Sequence, residues 1–342
     1  MSQPLADLAI LSVALCVGLA IFVVVIKTLR NAREPRIRRR RDALQGALEH
    51  GGEGVVERGL VAALGGGPEQ IDDVLLALGR ADIDPVRAAV LARLAGRSPV
   101  TDAITRIQGD RRPVVRARAA LILGRMAPND AVSRIAPCLD DARTAPAAVR
   151  ALGMIGTPEA VHALLAALPT IACRDRVLDQ LANPWAADDV AAALAREDDA
   201  RQRPLLIEAA GLSGARSALP ELQRTLASGP TEERVRAARA LGRLGRGEAS
   251  LLAAMTDTEW AVRAQAASAI ALIGDPNPSD ELVGAMSEGL ADTAWWVRVH
   301  CANALSVSAR GRLALEEARR APDRFARDRA EEALVARHLL SA

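Results

Sequence analysis

The chain has 342 residues, half of them apolar, with 2% aromatic residues and no Tyr. So few aromatics argue against an antiparallel β architecture, whereas Ala, Leu and Arg, which dominate, are strong helix formers. The net charge of +2 is unevenly spread, and its distribution argues against nucleic-acid binding.

In chain order, the first element is Leu8–Ile26, 19 uncharged and mostly apolar residues. At the helical rise it spans about 28 Å, close to the hydrocarbon thickness of a bilayer. No Lys or Arg precedes it, and a basic block follows directly. That pattern predicts an uncleaved transmembrane anchor (1–29) rather than a signal peptide. The block runs from Lys27 to Arg41 and holds eight basic residues against one acid, Glu34. Basic residues beside a span stay cytoplasmic. The expectation is therefore a single-pass inner-membrane protein with its N-terminus outside and its large domain in the cytoplasm. A basic linker (30–54) would face anionic lipid headgroups. From Asp42 onward there are 36 basic and 40 acidic residues, so the body is slightly acidic. The basic tether is poor evidence for nucleic acid.

From 55 to 342 the sequence repeats. A pattern of Val-Arg, two residues, Ala or Leu, Ala, one residue, Ala and Leu recurs. Its last apolar positions are Leu94, Leu123, Leu152, Leu181, Ala210, Leu241, Ile270, Leu305 and Leu334, mostly 29 residues apart, with a degenerate copy at Leu64. Seven residues before these anchors stand Arg87, Arg116, Arg174, Arg203, Arg234, Arg263, Arg298 and Arg327; Ala145 alone breaks the series. An Asp precedes several of these by five or six residues: Asp82, Asp110, Asp198, Asp257 and Asp292, with Asp140 in the copy that lacks Arg.

A unit of this length suits two short antiparallel helices that bury their apolar faces only when stacked. The anchor helix shows apolar positions at helical spacing (Val262, Ala266, Ala269, Ile270, Ile273), and a second amphipathic helix precedes it, as over Pro158–Leu168, Pro184–Ala195 and Ser279–Leu290. Gly156, Gly245 and Gly274 are placed to end helices in left-handed geometry. Residues Asp275–Asp280 predict a longer loop.

This pattern resembles the HEAT repeat family, most closely its short phycobilisome-lyase-type repeats. The resemblance implies an all-α fold, an α-solenoid, here preceded by one transmembrane helix. It also implies a ladder of hydrogen bonds and ion pairs between the turn Asp and helix Arg of neighbouring repeats. Asp110 with Arg116, Asp257 with Arg263 and Asp292 with Arg298 match that motif best.

Little here points to chemistry. Related deoxyhypusine hydroxylases hold iron through His-Glu dipeptides, and none of His50, His162, His300 or His338 is followed by Glu. Cys16, Cys138, Cys173 and Cys301 match no metal-ligand spacing. No phosphate-binding Gly loop occurs, so neither cofactor nor metal is expected. The resemblance implies that the second helix of each pair lines a concave face. Positions two and five after the ladder Arg then point outward: Arg118, Arg150, Arg176, Asp179, Leu205, Glu208, Arg236, Arg239, Gln265, Ser268, His300 and Asn303. This strip is polar and mixed in charge, which suits a protein partner better than a polyanion. Of the Trp residues, Trp260 and Trp295 are placed to staple onto the preceding helix, and one of Trp295 and Trp296 to face the core. The reading is a membrane-tethered interaction scaffold. The alternative, a bilin lyase-like activity, rests on the repeat family alone.

Overall fold

The computed structural model describes residues 19, 22, 27, 38–81, 83–96 and 99–340, the last four by their backbone alone. Every regular element among them is helical. The chain forms two compact units, Met1–Ala131 and Val132–Ala342.

The first unit carries α1 (38–50), α2 (Glu53–Leu64), α3 (Pro68–Arg80), α4 (Pro85–Ala95), α5 (Val100–Gln108) and α6 (Pro113–Met126). Pro opens three of these, where its missing N–H costs nothing. α3 packs on α6 and α2 on α5, besides the contacts between sequence neighbours. Part of the segment expected as a linker is therefore α1, whose Leu44 and Leu48 are buried. Its arginines are also engaged. Arg40 and Arg41 both grip Asp73, which is 2% exposed, with Nε of each 3.1 Å from a carboxylate oxygen.

The second unit begins with α7 (Ala131–Ile135), continued by a 3-10 turn, and runs through α8 (Ala145–Ile155), α9 (Pro158–Ala167), α10 (Arg174–Leu181), α11 (Ala187–Leu194), α12 (Arg203–Ser213) and α13 (Leu219–Ser228). It continues with α14 (Thr231–Leu244), α15 (Glu248–Ala253), α16 (Trp260–Ile273), α17 (Asp280–Gly289), α18 (Trp295–Val307), α19 (Ala309–Ala318) and α20 (Arg324–Leu340). Here the pairing is regular. The even-numbered helices α8 to α20 each pack on the next, and α9 on α11, α13 on α15 and α17 on α19 do the same. Pro184 opens a 3-10 turn rather than α11 itself.

The anchor positions Leu123, Leu152, Leu181, Ala210 and Leu241 are all fully buried. The Gly after two of them has a role that the pattern did not reveal. A Cβ on Gly211 would lie 2.7 Å from the Cα of Ala240, and one on Gly242 would lie 2.8 Å from the Cα of Ala269. Neighbouring even-numbered helices thus touch backbone to backbone. The turn-closing glycines come later, with φ +64° at Gly156, Gly245 and Gly274. Gly242→Ala is expected to destabilise the protein by about 1–2 kcal/mol, because overpacking outweighs the helix-propensity gain of roughly 1 kcal/mol. A thermal melt showing an unchanged or higher midpoint would refute the close-approach reading.

The expected membrane placement is corrected. Among the described residues no helix is long and apolar enough to cross a membrane. The run Leu8–Ile26, apart from Leu19 and Phe22, lies outside the described residues. The lipid-facing role given to the basic block loses Arg40 and Arg41 to Asp73.

Candidate functional site

The ladder arginines sit at the starts of the even-numbered helices, where a guanidinium can turn back toward the preceding loop. All but Arg87 turn a terminal nitrogen onto that loop's carbonyls, Nη1 in every case except Arg174, which uses Nη2. Arg116 donates to Asp110 O (3.0 Å), Arg203 to Glu197 O (2.7 Å), Arg263 to Asp257 O (2.8 Å), Arg298 to Asp292 O (2.7 Å) and Arg327 to Ala321 O (2.8 Å), always six residues back. Arg234 reaches Gly229 O (2.8 Å) and Arg174 reaches Pro169 O (3.4 Å), both five back. Arg87 instead caps the end of α1, at Leu48 O (2.8 Å). Ala145 is covered by its neighbour: the buried Thr144 hydroxyl donates to Cys138 O (2.7 Å), again six residues back.

The other edge of the guanidinium reaches forward. Arg234 clamps Asp257 with Nε at 2.9 Å and Nη2 at 3.0 Å, and Arg263 clamps Asp292 at 2.7 and 2.9 Å. Asp257 and Asp292 each offer the backbone carbonyl to the Arg of their own copy and the carboxylate to the Arg of the copy before. Asp257 and Asp292 also accept from the amides of Glu259 and Ala294, which fixes the turn. Asp110 pairs instead with Arg112 (2.9 Å), whose side-chain and backbone hydrogen bonds hold its pKa down at about 2. Asp198 and Asp140 are replaced in the turn by Asp199 and Asp141, which accept from the amides of Arg201 and Arg143; Asp82 lies outside the described residues.

Arg203 meets no Asp. It binds Glu233 (3.1 Å), Glu221 (2.8 Å) and Thr225 (3.2 Å), and both Glu residues are buried. Sequence reasoning missed these two acids because they lie inside helices, off the Asp register.

The candidate binding strip divides by unit. In the first unit Arg118 pairs with Asp72 (2.6 Å). In the second, Arg236 of α14 bridges Glu208 of α12 (2.6 Å) and Glu232 (3.0 Å), while Arg239 of α14 reaches Gln265 of α16 (3.3 Å). His300 stacks on Trp296, with ring centroids 5.9 Å apart, and burial lowers its pKa. Arg150, Arg176, Asp179 and Asn303 are exposed; Leu205 and Ser268 are half-buried. The strip is thus a polar surface in which part of the charge is already matched.

The Trp expectations need correction. Trp260, Trp295 and Trp296 are 50%, 47% and 51% exposed, so neither stapling nor burial of one of the pair describes them. Trp185 does pack inward, over the left-handed Gly156.

Among the described residues no group of His, Cys, Asp and Glu could hold a metal ion. His162 lies 3.5 Å from Asp189 at the surface, and Ser217 bonds Asp188 instead. Burial, with the Asp292 charge adding to it, pushes the Cys301 thiol up to about 12, too high for a reactive thiolate.

Residues 100–176 match the family model of HEAT repeats. These HEAT-type units cover part of α5 to α10, and the same ladder register runs on beyond them to Arg327. No curated protein matches the sequence. Among solved structures, human deoxyhypusine hydroxylase in complex with glycerol is similar at 17% identity, covering 90% of this chain and 98% of its own, with a TM-score of 0.30. Kap95p in a study of RanGDP gives 16% identity, 90% and 46% coverage and a TM-score of 0.40. Kap121p bound to Pho4p gives 15%, 85% and 40%, and 0.44. The chain spans less than half the length of these two karyopherin structures.

Proposed function

We propose that the protein is an interaction scaffold whose HEAT-type helix pairs present a polar strip to a protein partner. The observation that carries this is the strip in the second unit. Side chains from α12, α14 and α16 are held by contacts between neighbouring helices, so the surface is ordered before any partner arrives. Its mixed charge suits specific pairing with a protein surface more than attraction to a polyanion.

The test uses Arg150 and Arg176, which are exposed, and for which the described residues supply no ion pair. Arg236 is unsuitable, since a Glu there would face Glu208 and Glu232. The double variant Arg150→Glu, Arg176→Glu is expected to keep its melting midpoint within about 2 °C, as surface substitutions do. Recovery of crosslinked protein partners, measured by mass spectrometry, should fall several-fold. Equal recovery from variant and parent would remove the strip from the reading.

A further inference from the structure

Arg298 is the most buried of the ladder arginines, at 8% exposure. Its Nη1 is bound to the carbonyls of Asp292 (2.7 Å) and Thr293 (3.2 Å), as in the copies before it. In those copies the Nε–Nη2 edge closes on a carboxylate, Asp257 for Arg234 and Asp292 for Arg263. The equivalent residue for Arg298 is Ala321. The register is unambiguous, because Arg327 takes Ala321 O at 2.8 Å just as Arg263 takes Asp257 O and Arg298 takes Asp292 O. Among the described residues no carboxylate pairs with Arg298, and Asp292 is already held by Arg263. The guanidinium lies instead over the Phe325 ring, 4.7 Å from its centroid. A cation–π contact occupies the face of a guanidinium and leaves its in-plane donors free.

Around this edge the chain concentrates its rare aromatic side chains. Phe325 is 58% exposed at the start of α20, and Trp295 and Trp296 are 47% and 51% exposed at the start of α18, the helix that carries Arg298 and packs on α20. The two indoles meet edge to face at 4.5 Å, and Trp295 also lies under Arg329 at 5.6 Å. Exposed Trp with Arg is the composition of interface hot spots. A largely desolvated guanidinium lacking its carboxylate offers strong, directional donors to one.

We propose that Arg298 receives an Asp or Glu side chain from an extended acidic segment of a protein partner, with Trp295, Trp296 and Phe325 packing against that segment. The partner's carboxylate completes the rung that Ala321 leaves open. This rests on reading the protein as a scaffold, and it names one class of partner and the place where it docks.

The test titrates a hexaglutamate peptide into the full-length chain and follows Trp emission, with hexaglutamine as the neutral control. Hexaglutamate should give a saturable change and hexaglutamine none. Ala321→Asp supplies the missing carboxylate from within. It should raise the melting midpoint and weaken peptide binding at least tenfold, whereas Ala321→Ser should bind as the parent does. Unaltered binding to Ala321→Asp, or a lower midpoint for that variant, would overturn the proposal. An equal response to acetate at matched carboxylate concentration would also overturn it, since a free anion would then suffice. If hexaglutamate does not bind while partner recovery still depends on Arg150 and Arg176, this inference falls and the scaffold reading stands.

Discussion

Arg203→Met should cost about 3–5 kcal/mol, the range for removing one partner from a buried ion pair. Arg203 is the cation shared by Glu221 and Glu233, and it also holds Thr225 and Glu197 O. Met fills the stem's space but leaves Glu233, 5% exposed, without the guanidinium bound at 3.1 Å. Glu221 retains Arg224, one turn along α13. The loss should therefore be recovered in part by adding Glu233→Gln, which neutralises the acid left stranded. Arg203→Lys should recover little, because an ammonium cannot serve acceptors on three sides at once. Hydrogen exchange is the suitable measurement, since a stack of repeats opens locally rather than all at once. Protection should drop at the amides of α12 to α14 first. Unchanged exchange there would show that the cluster is solvated and contributes nothing.

Arg263→Ala should cost about 2–4 kcal/mol by leaving the mostly buried Asp292 carboxylate without its guanidinium, along with two loop carbonyls. The same pair predicts a pH dependence. Burial works against the charged form of Asp292, but hydrogen bonds from Arg263 and from the Ala294 amide outweigh it, and its pKa lies below the ordinary carboxylate value. A depressed folded-state pKa means stability that is fully present above the unfolded value, near pH 4, and lost as pH falls through the folded one. The parent should therefore lose stability below about pH 4 more steeply than Arg263→Ala. Asp292→Asn added to Arg263→Ala should restore part of the loss at neutral pH. Parallel acid-unfolding curves for parent and variant would count against the pair.

Much of the fold was legible because it rests on spacing. The 29-residue recurrence of Arg and of buried Leu or Ala sets which helices pair, and spacing survives without knowledge of contacts. The ladder was legible as residue types but not as partners. Asp257 is six residues from Arg263 in sequence, yet its carboxylate belongs to Arg234, 23 residues away. Only stacking decides which of two guanidinium groups an Asp meets. Thr144 was invisible for a different reason: a hydroxyl one place off register replaces an arginine through the same carbonyl geometry. The aromatic edge was misjudged because a Trp at a helix start can close inward or stand outward. The choice depends on what each ring meets, here Arg329 of α20 for Trp295 and His300, one turn along α18 itself, for Trp296. The basic block at 38–41 reads as a tether by charge alone. Its partner Asp73 lies over thirty residues on, within an ordinary amphipathic helix.

The one copy without its arginine has a mechanical consequence. Thr144 preserves the backward bond to Cys138 but has no reach forward, and the next copy carries Leu168 and Pro169 where an acceptor Asp would stand. Beside it an open cleft of about 550 Å³, lined by Leu139, Ala145, Ala167 and Ile171, occupies the space between consecutive pairs. Farther along, from Arg203 to Asp292, consecutive pairs are riveted by charge. A chain pulled from both ends, or probed by a protease, would part along the seam at α8 to α10 while α12 to α18 stayed whole. The second unit thus contains its own fracture line, set where one copy lacks its arginine and the next lacks the acceptor.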